Sequence, residues 1–315
     1  MNNLLRKLSY LSLSACVGLF SCGRETSEAT SDNPTQGSID ISCDAAYQPV
    51  IKSVTDAYTI KFPRASFNVQ YVPEQKAILA LLQDSVRMAF VSRTLTEDEE
   101  KMLAQQKSIA KTHKIAIDGV ALVVGAAASD TSITVDEIQK VLKGDILSWS
   151  EISNAKKTSK IDIVVDDANS SNLQYFKNRF AIADFTKARI IVAGSNEKVV
   201  EAVRSNPNAI GIIGVNWISD KKEAFSVALA QGIRTMSVAT ASNSNFYKPF
   251  QDDLTEGNYP LARQLYAITR EAHAGLGGGL LTYIARDAGG LVIMKMGLVP
   301  NIPYVRNVEL TTDSE

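Results

Sequence analysis

Residues 164–176, VVDDANSSNLQYF, set two carboxylates, Asp166 and Asp167, against a polar cluster, Asn169-Ser170-Ser171-Asn172, at the entry to a helix carrying Leu173 and Phe176. The apolar run before them ends at Val165. A strand that breaks into small polar residues at a helix start can cradle an anion. The first helical turn leaves backbone N–H groups without partners, and its dipole favours negative charge. Two acids at the rim of such a cradle are the anomaly. The same residues also read as ordinary caps and turns, since Ser and Asn satisfy helix-start amides and Asp closes turns.

Other chemistries find little support in the chain. His113 and His273 lie far apart, and no closely spaced Cys or His pair suggests zinc. There is no G-x-S-x-G for a serine hydrolase and no metal-ligand cluster for a phosphatase, so neither catalysis nor a cofactor is expected. GLGGG at 275–279 puts Leu280 where a dinucleotide fingerprint needs its third glycine, and it reads instead as a helix entry. With 33 basic against 34 acidic residues, the charge is near balance, which argues against nucleic-acid or bulk anionic-membrane binding.

The chain has 315 residues, 45% hydrophobic and 21% charged, enough for two domains of a soluble globular body. The first residues read differently. MNNLLRK is a basic leader, LSYLSLSACVGLF (8–20) an apolar segment too short to span a bilayer, and LFSC-G places Cys22 where a lipoprotein signal carries its modified cysteine. Cys16 fits the pattern with a shorter apolar segment, and Cys22 is preferred. The reading is a lipoprotein signal at 1–21 and a polar, flexible tether at 22–38. Only Cys43 then remains, which leaves no internal disulfide; as a small apolar residue it suits packing.

From residue 39 strands and helices alternate. IDIS (39–42) is a strand; Tyr47, Ile51, Val54 and Tyr58 have helical spacing, stopped by Pro63; SFNVQYV (66–72), VRMAFV (86–91), KIAIDGVALVVG (114–125), KIDIVV (160–165), AIGIIGV (209–215) and PLARQLYAIT (260–269) are strands. Thr96 with Glu99, and Thr134 with Glu137, are capping boxes, and Gly144 stops the second of those helices. The pattern gives an α/β fold with largely parallel sheets, in two series joined by long strands. Ligands of open α/β sheets sit at the carboxyl ends of strands. Four such ends are polar here: Ser42-Cys43-Asp44, Pro73-Glu74-Gln75, Ser92-Arg93-Thr94 and Asp166 to Asn172.

These segments, in this order, resemble the phosphate-binding proteins of bacterial phosphate ABC transporters, a branch of the type II periplasmic binding proteins. The resemblance runs from about Ser38 to Val308 and rests on ISCDAAYQPVIKSVTDAY, MAFVSRTLTEDE, KGDILSWSEI, NPNAIGIIGV, YPLARQLYAIT and GLVP. It implies a two-lobed fold, each lobe a mostly parallel sheet flanked by helices, with the ligand cleft between them. Lobe 1 would hold 39–116 and 264–311, and lobe 2 would hold 117–263. It also implies an exported, lipid-anchored binding protein on the periplasmic or cell-surface side, with an ABC permease as partner and no membrane contact beyond the lipid.

Carried over by position, the phosphate ligands would be Ser42, Cys43 and Asp44, then Gln75, then Ser92 and Arg93, and Ser170, Ser171 and Asn172, with Asp166 and Asn169 as further candidates. Asp166 stands where the family commonly has an arginine, and Arg93 is the alternative source of positive charge. Phosphate keeps a proton at neutral pH, so a carboxylate can accept from it, whereas sulfate would leave that acceptor unmatched. Asp44, Asp166 and Asp167 are candidate acceptors. The other readings of the same chain are a binding protein for another oxyanion, a sensor that does not transport, and a surface lipoprotein that keeps the fold without a ligand.

Overall fold

A computed structural model describes residues 32–302 apart from 154, 242–244 and 273. The expected signal segment, Cys22, most of the tether, His273 and residues 303–311 lie outside the described residues. Gly37, inside the stretch expected as tether, already opens the first strand, and Asn33 and Gln36 bridge each other just before it. Among the described residues no helix is long and apolar enough to cross a membrane.

The first series begins with β1 (Gly37–Asp44), α1 (Gln48–Lys61), β2 (Ala65–Val72), α2 (Glu74–Leu82) and β3 (Met88–Val91), and β1 lies parallel to both of its neighbours. α1 forms because Val50, Ile51, Val54 and Tyr58 make one apolar stripe, all buried, with Pro49 in the first turn. α3 (Glu97–Gln105) opens on the Thr96–Glu99 capping box, and after β4 (Lys111–Gly125) and β5 (Ser132–Thr134), α4 (Val135–Lys143) opens on Thr134–Glu137. Gly144 closes α4 at φ 77°, a left-handed position that favours glycine.

The second series is β6 (Asp162–Val165), α5 (Ser171–Arg179), β7 (Ile190–Val192), α6 (Asn196–Ser205) and β8 (Ala209–Gly214), with β6 parallel to both β7 and β8. α7 (Ala224–Ala230), β9 (Ile233–Thr235), β10 (Ser237–Ala239), α8 (Gln251–Thr255), β11 (Ala262–Thr269), α9 (Leu276–Ile284), α10 (Asp287–Lys295) and β12 (Val299–Pro300) complete the described chain. Leu276 of GLGGG starts α9, so that cluster is a helix entry.

The strand order β2-β1-β3-β11-β4-β8-β6-β7 joins the two parallel sets through an antiparallel centre. β4 makes the join. Its Lys111–Gly119 part pairs with β11, and its Val120–Gly125 part pairs with β8 and β9. The carboxyl ends of β1, β3, β6 and β8 therefore gather around the β4–β11 crossing. Packing fixes those ends. Phe176 of α5 is fully buried and stacks on Phe180, which seats the helix and thereby the loop at Ser170–Asn172. Truncating Phe176 to Ala would cost about 3–5 kcal/mol.

Candidate functional site

β1 ends in Asp44, which caps the turn that follows. Its Oδ1 accepts from the Ala46 amide at 3.2 Å, while Oδ2 is buried with no hydrogen bond. Burial, then the nearby Glu74, push this carboxyl up to about 7, against the pull of Arg263 and the Ser171 hydroxyl. The two neighbouring residues expected at the site are placed elsewhere. Ser42 donates to the Ala77 carbonyl of α2 at 2.8 Å, and Cys43 is packed in the apolar core beside Ile41 and Phe90. Burial raises the Cys43 thiol well above its ordinary range.

At the start of α2, Gln75 is exposed and Glu74 turns inward, 4% exposed. Glu74 Oε1 accepts from both the amide and the hydroxyl of Ser92, each at 2.6 Å. Arg93 is engaged locally. Its two terminal nitrogens each meet a Glu99 oxygen at 2.8 Å, and its Nε lies 4.0 Å from Glu74. The positive charge expected of Arg93 thus serves the α3 capping box.

The charge at the crossing is Arg263 instead. It sits on β11 directly opposite Asp118 on β4, with Nε 2.9 Å from Asp118 Oδ2. Its Nη1 reaches the Ser171 hydroxyl at 3.1 Å, its guanidinium carbon lies 4.9 Å from the centre of the Tyr47 ring, and Nη2 is buried without a partner. Ser171 opens α5, so this arginine stands where an anion at that helix start would need it.

In the loop of the opening anomaly, Ser170 is the N-cap and accepts from the Leu173 amide at 3.4 Å. Asp167 closes a turn by accepting from the Asn169 amide at 2.7 Å, and Asn169 is exposed. Asp166 is 5% exposed and faces α6, where its Oδ2 accepts from Asn196 Nδ2 at 3.3 Å. Burial raises its carboxyl. Asn172 Nδ2 in turn donates to Asn196 Oδ1 at 3.5 Å.

After β8, Asn216 Nδ2 and Trp217 Nε1 both donate to the Ala46 carbonyl at 3.0 Å, tying the second series to the turn after β1. Gly214 permits that approach, because a Cβ there would stand 2.7 Å from Asn216 Nδ2 and 3.2 Å from the Ala46 oxygen. Buried side-chain polar atoms without a hydrogen bond, among the described residues, belong to Asp44, Tyr47, Asp118, Asp166, Asn172, Asn216 and Arg263. Asp118 and Tyr47 meet Arg263, Asn216 meets the turn after Asp44, and Asp166 and Asn172 are joined through Asn196 in the loop at the start of α5. Buried polar groups left unpaired are costly in a folded chain, and this makes the region around Arg263 the candidate site.

The structure therefore brings together Asp44, Ser171 and, through Asn196, Asn172 and Asp166. Tyr47, Glu74, Asp118, Asn196, Asn216 and Arg263 escaped the sequence reading. Two carried a signal: Asp118 interrupts the apolar run of β4 and Arg263 that of β11, a lone acid and a lone base in strands that must pair.

A model of the PBP superfamily domain matches residues 28–288. The chain belongs to the PBP superfamily. Among curated proteins it is similar to the phosphate-binding protein PstS of Bacillus subtilis, 23% identical over 287 residues, which are 91% of this chain and 87% of that one. It is similar to PstS of Borreliella burgdorferi at 21% identity over 235 residues, 71% of this chain and 76% of that one. Among solved structures, a substrate-binding protein from Clostridium perfringens with phosphate bound superposes with a TM-score of 0.68 at 18% identity, covering 84% of this chain and 99% of that one. An ABC-type phosphate transport receptor from Vibrio cholerae gives 0.62 at 20% identity, covering 83% and 99%. The fold is accordingly the two-lobed, type II arrangement of the superfamily, an α/β architecture with a mostly parallel sheet and flanking helices in each lobe.

Proposed function

We propose that this chain is an exported solute-binding protein that captures inorganic phosphate between its lobes and delivers it to an ABC permease. The observation that carries the reading is Arg263: a buried guanidinium with one free nitrogen, beside the start of α5 and near a carboxylate with one free oxygen, Asp44. A fixed cationic donor next to a proton acceptor suits an oxyanion that still carries a proton. Sulfate would leave the acceptor unmatched, a mismatch worth roughly 10⁴-fold in sites of this type. The names of the curated relatives and the phosphate-bound neighbour support the same ligand.

In this reading 39–116 with 264–311 form one lobe and 117–263 the other. The lobes close on the ligand by a hinge motion, with contacts from both sides favouring the closed state. The bonds from Asn216 and Trp217 to Ala46 join residues of these two segments and support this reading. A lipid on Cys22 and the following tether hold the body on the outer side of a membrane, and no reaction is catalysed. A different oxyanion or a sensing role is the second reading, favoured by Asp166 in the place where the resemblance puts an arginine.

Calorimetric titration of the full chain, stripped of bound anion, with phosphate and with sulfate tests this. Phosphate heat without sulfate heat is the expected result. No phosphate heat from verifiably folded protein would turn the search to other oxyanions or to a fold kept without ligand.

A further inference from the structure

The hydrogen-bond sense of three free atoms at this site is dictated by their neighbours. Asn216 gives its Nδ2 to the Ala46 carbonyl, which only accepts, so the end left over is its carbonyl oxygen. Asp166 accepts from Asn196 Nδ2, which leaves Asn196 Oδ1 to accept from Asn172 Nδ2, which leaves Asn172 Oδ1 free. A carboxylate at one end of this amide chain thus dictates a carbonyl at the other. Asp44 Oδ2 is a further free acceptor, and Asp118 Oδ1 and Asp166 Oδ1 add two more carboxylate oxygens without a partner. Facing these are few donors: Arg263 Nη2, the Tyr47 hydroxyl and the first-turn amides of α5.

Tetrahedral oxyanions differ in what they bring to such a set. Sulfate offers no O–H, the phosphate dianion one, the monoanion two. Charge points the same way. Asp44 and Glu74 lie close enough to act on each other here, Asp118 already neutralises Arg263, and Arg93 is held by Glu99 with Glu74 beside it. A second negative charge on the ligand would be opposed by these carboxylates.

We infer that the site takes the phosphate monoanion, donating both of its O–H groups to the protein, and that Asp166–Asn196–Asn172 is a specificity element which presents an acceptor where a donor would favour a bare oxygen. This rests on the phosphate reading above. It gives the anomalous Asp166 a positioning role: it sets the polarity of a neighbour and leaves the ligand's charge to Arg263.

The test is calorimetry with inorganic phosphate on the anion-stripped full chain at about pH 8.5, in two buffers of different ionisation enthalpy. Free phosphate is then the dianion, and Asp44, raised to about 7, is ionised before binding. Binding the monoanion requires uptake of about one proton per phosphate. Binding with no proton uptake overturns the inference and leaves the phosphate reading standing; no phosphate binding by folded protein either at this pH or at about pH 6, where the monoanion predominates, overturns both. Asp166→Asn frees the amide chain to reverse, and the affinity ratio of sulfate to phosphate should rise about tenfold or more, a change of roughly 1.4 kcal/mol. An unchanged ratio, with thermal stability retained, removes the role assigned to Asp166.

Discussion

Arg263 and Asp118 stand opposite each other across β11 and β4, both buried, with Nε and Oδ2 2.9 Å apart. The pair aims the guanidinium. With Nε held by Asp118 and Nη1 by Ser171, Nη2 is the edge left for a ligand.

Replacing Arg263 with Leu should weaken phosphate binding roughly 10- to 100-fold, the worth of a charge-assisted hydrogen bond. The same change strands Asp118 in the interior and should lower stability by about 3–5 kcal/mol in denaturant unfolding. Adding Asp118→Leu should restore most of that stability and none of the binding. Wild-type affinity in Arg263→Leu would exclude this arginine from the site.

Arg93→Ala should behave differently. Its guanidinium is committed to Glu99 and is about a third exposed, so the expected loss is about 1 kcal/mol or less of stability, with phosphate affinity changed only a few-fold. A loss as large as that of Arg263→Leu would make Arg93 the ligand's main charge.

Asp44 makes the ligand-free protein pH-sensitive. Its folded carboxyl is raised from 3.8 to about 7, so the folded state binds a proton more readily than the unfolded one. The contribution to stability is full below the unfolded value and is lost as pH rises through about 7. Asp44→Asn should flatten the fall in unfolding free energy over that window, measured by urea unfolding at a series of pH values. Glu74→Gln should move the midpoint of the fall downward, since Glu74 is the second cause of the shift.

Gly214→Ala would put a methyl group against Asn216 and the Ala46 carbonyl. The expected outcome is weaker phosphate binding with both sheets intact by circular dichroism. Trp217 should report it: in wild type its emission changes on adding phosphate, and in the variant the response shrinks. Unaltered affinity would show that the approach of these two segments is not needed for binding.

The alternation of strands and helices was legible because periodicity is local, and both capping boxes and the Gly144 stop fell where their chemistry required. Asp44 and Ser171 were legible as polar residues at strand ends. The rest depended on pairing across distance. Nothing local distinguishes Gln75 from Glu74, and only the inward turn at the start of α2 makes Glu74 the residue that meets Ser92. Arg93 was the alternative cation because the resemblance set it in the third loop and Asp166 stood where an arginine is common; that Glu99, six residues on, takes up its guanidinium depends on side-chain geometry. Arg263 lies 92 residues beyond Ser171, and their contact exists only because β11 returns antiparallel to β4.

That return has a mechanical consequence. β4 is one unbroken ribbon that belongs to the first sheet as far as Gly119 and to the second from Val120 onward. On the proposed hinge motion, rotation of one lobe against the other would be torsion within this hydrogen-bonded strand, whose pairing with β11 shifts register between Leu265 and Tyr266. A strand has a preferred twist and resists departure from it. On that proposal the crossing would act as a spring with a resting angle, and Gly119, where a side chain would press on Pro249, lies at the junction of its two halves.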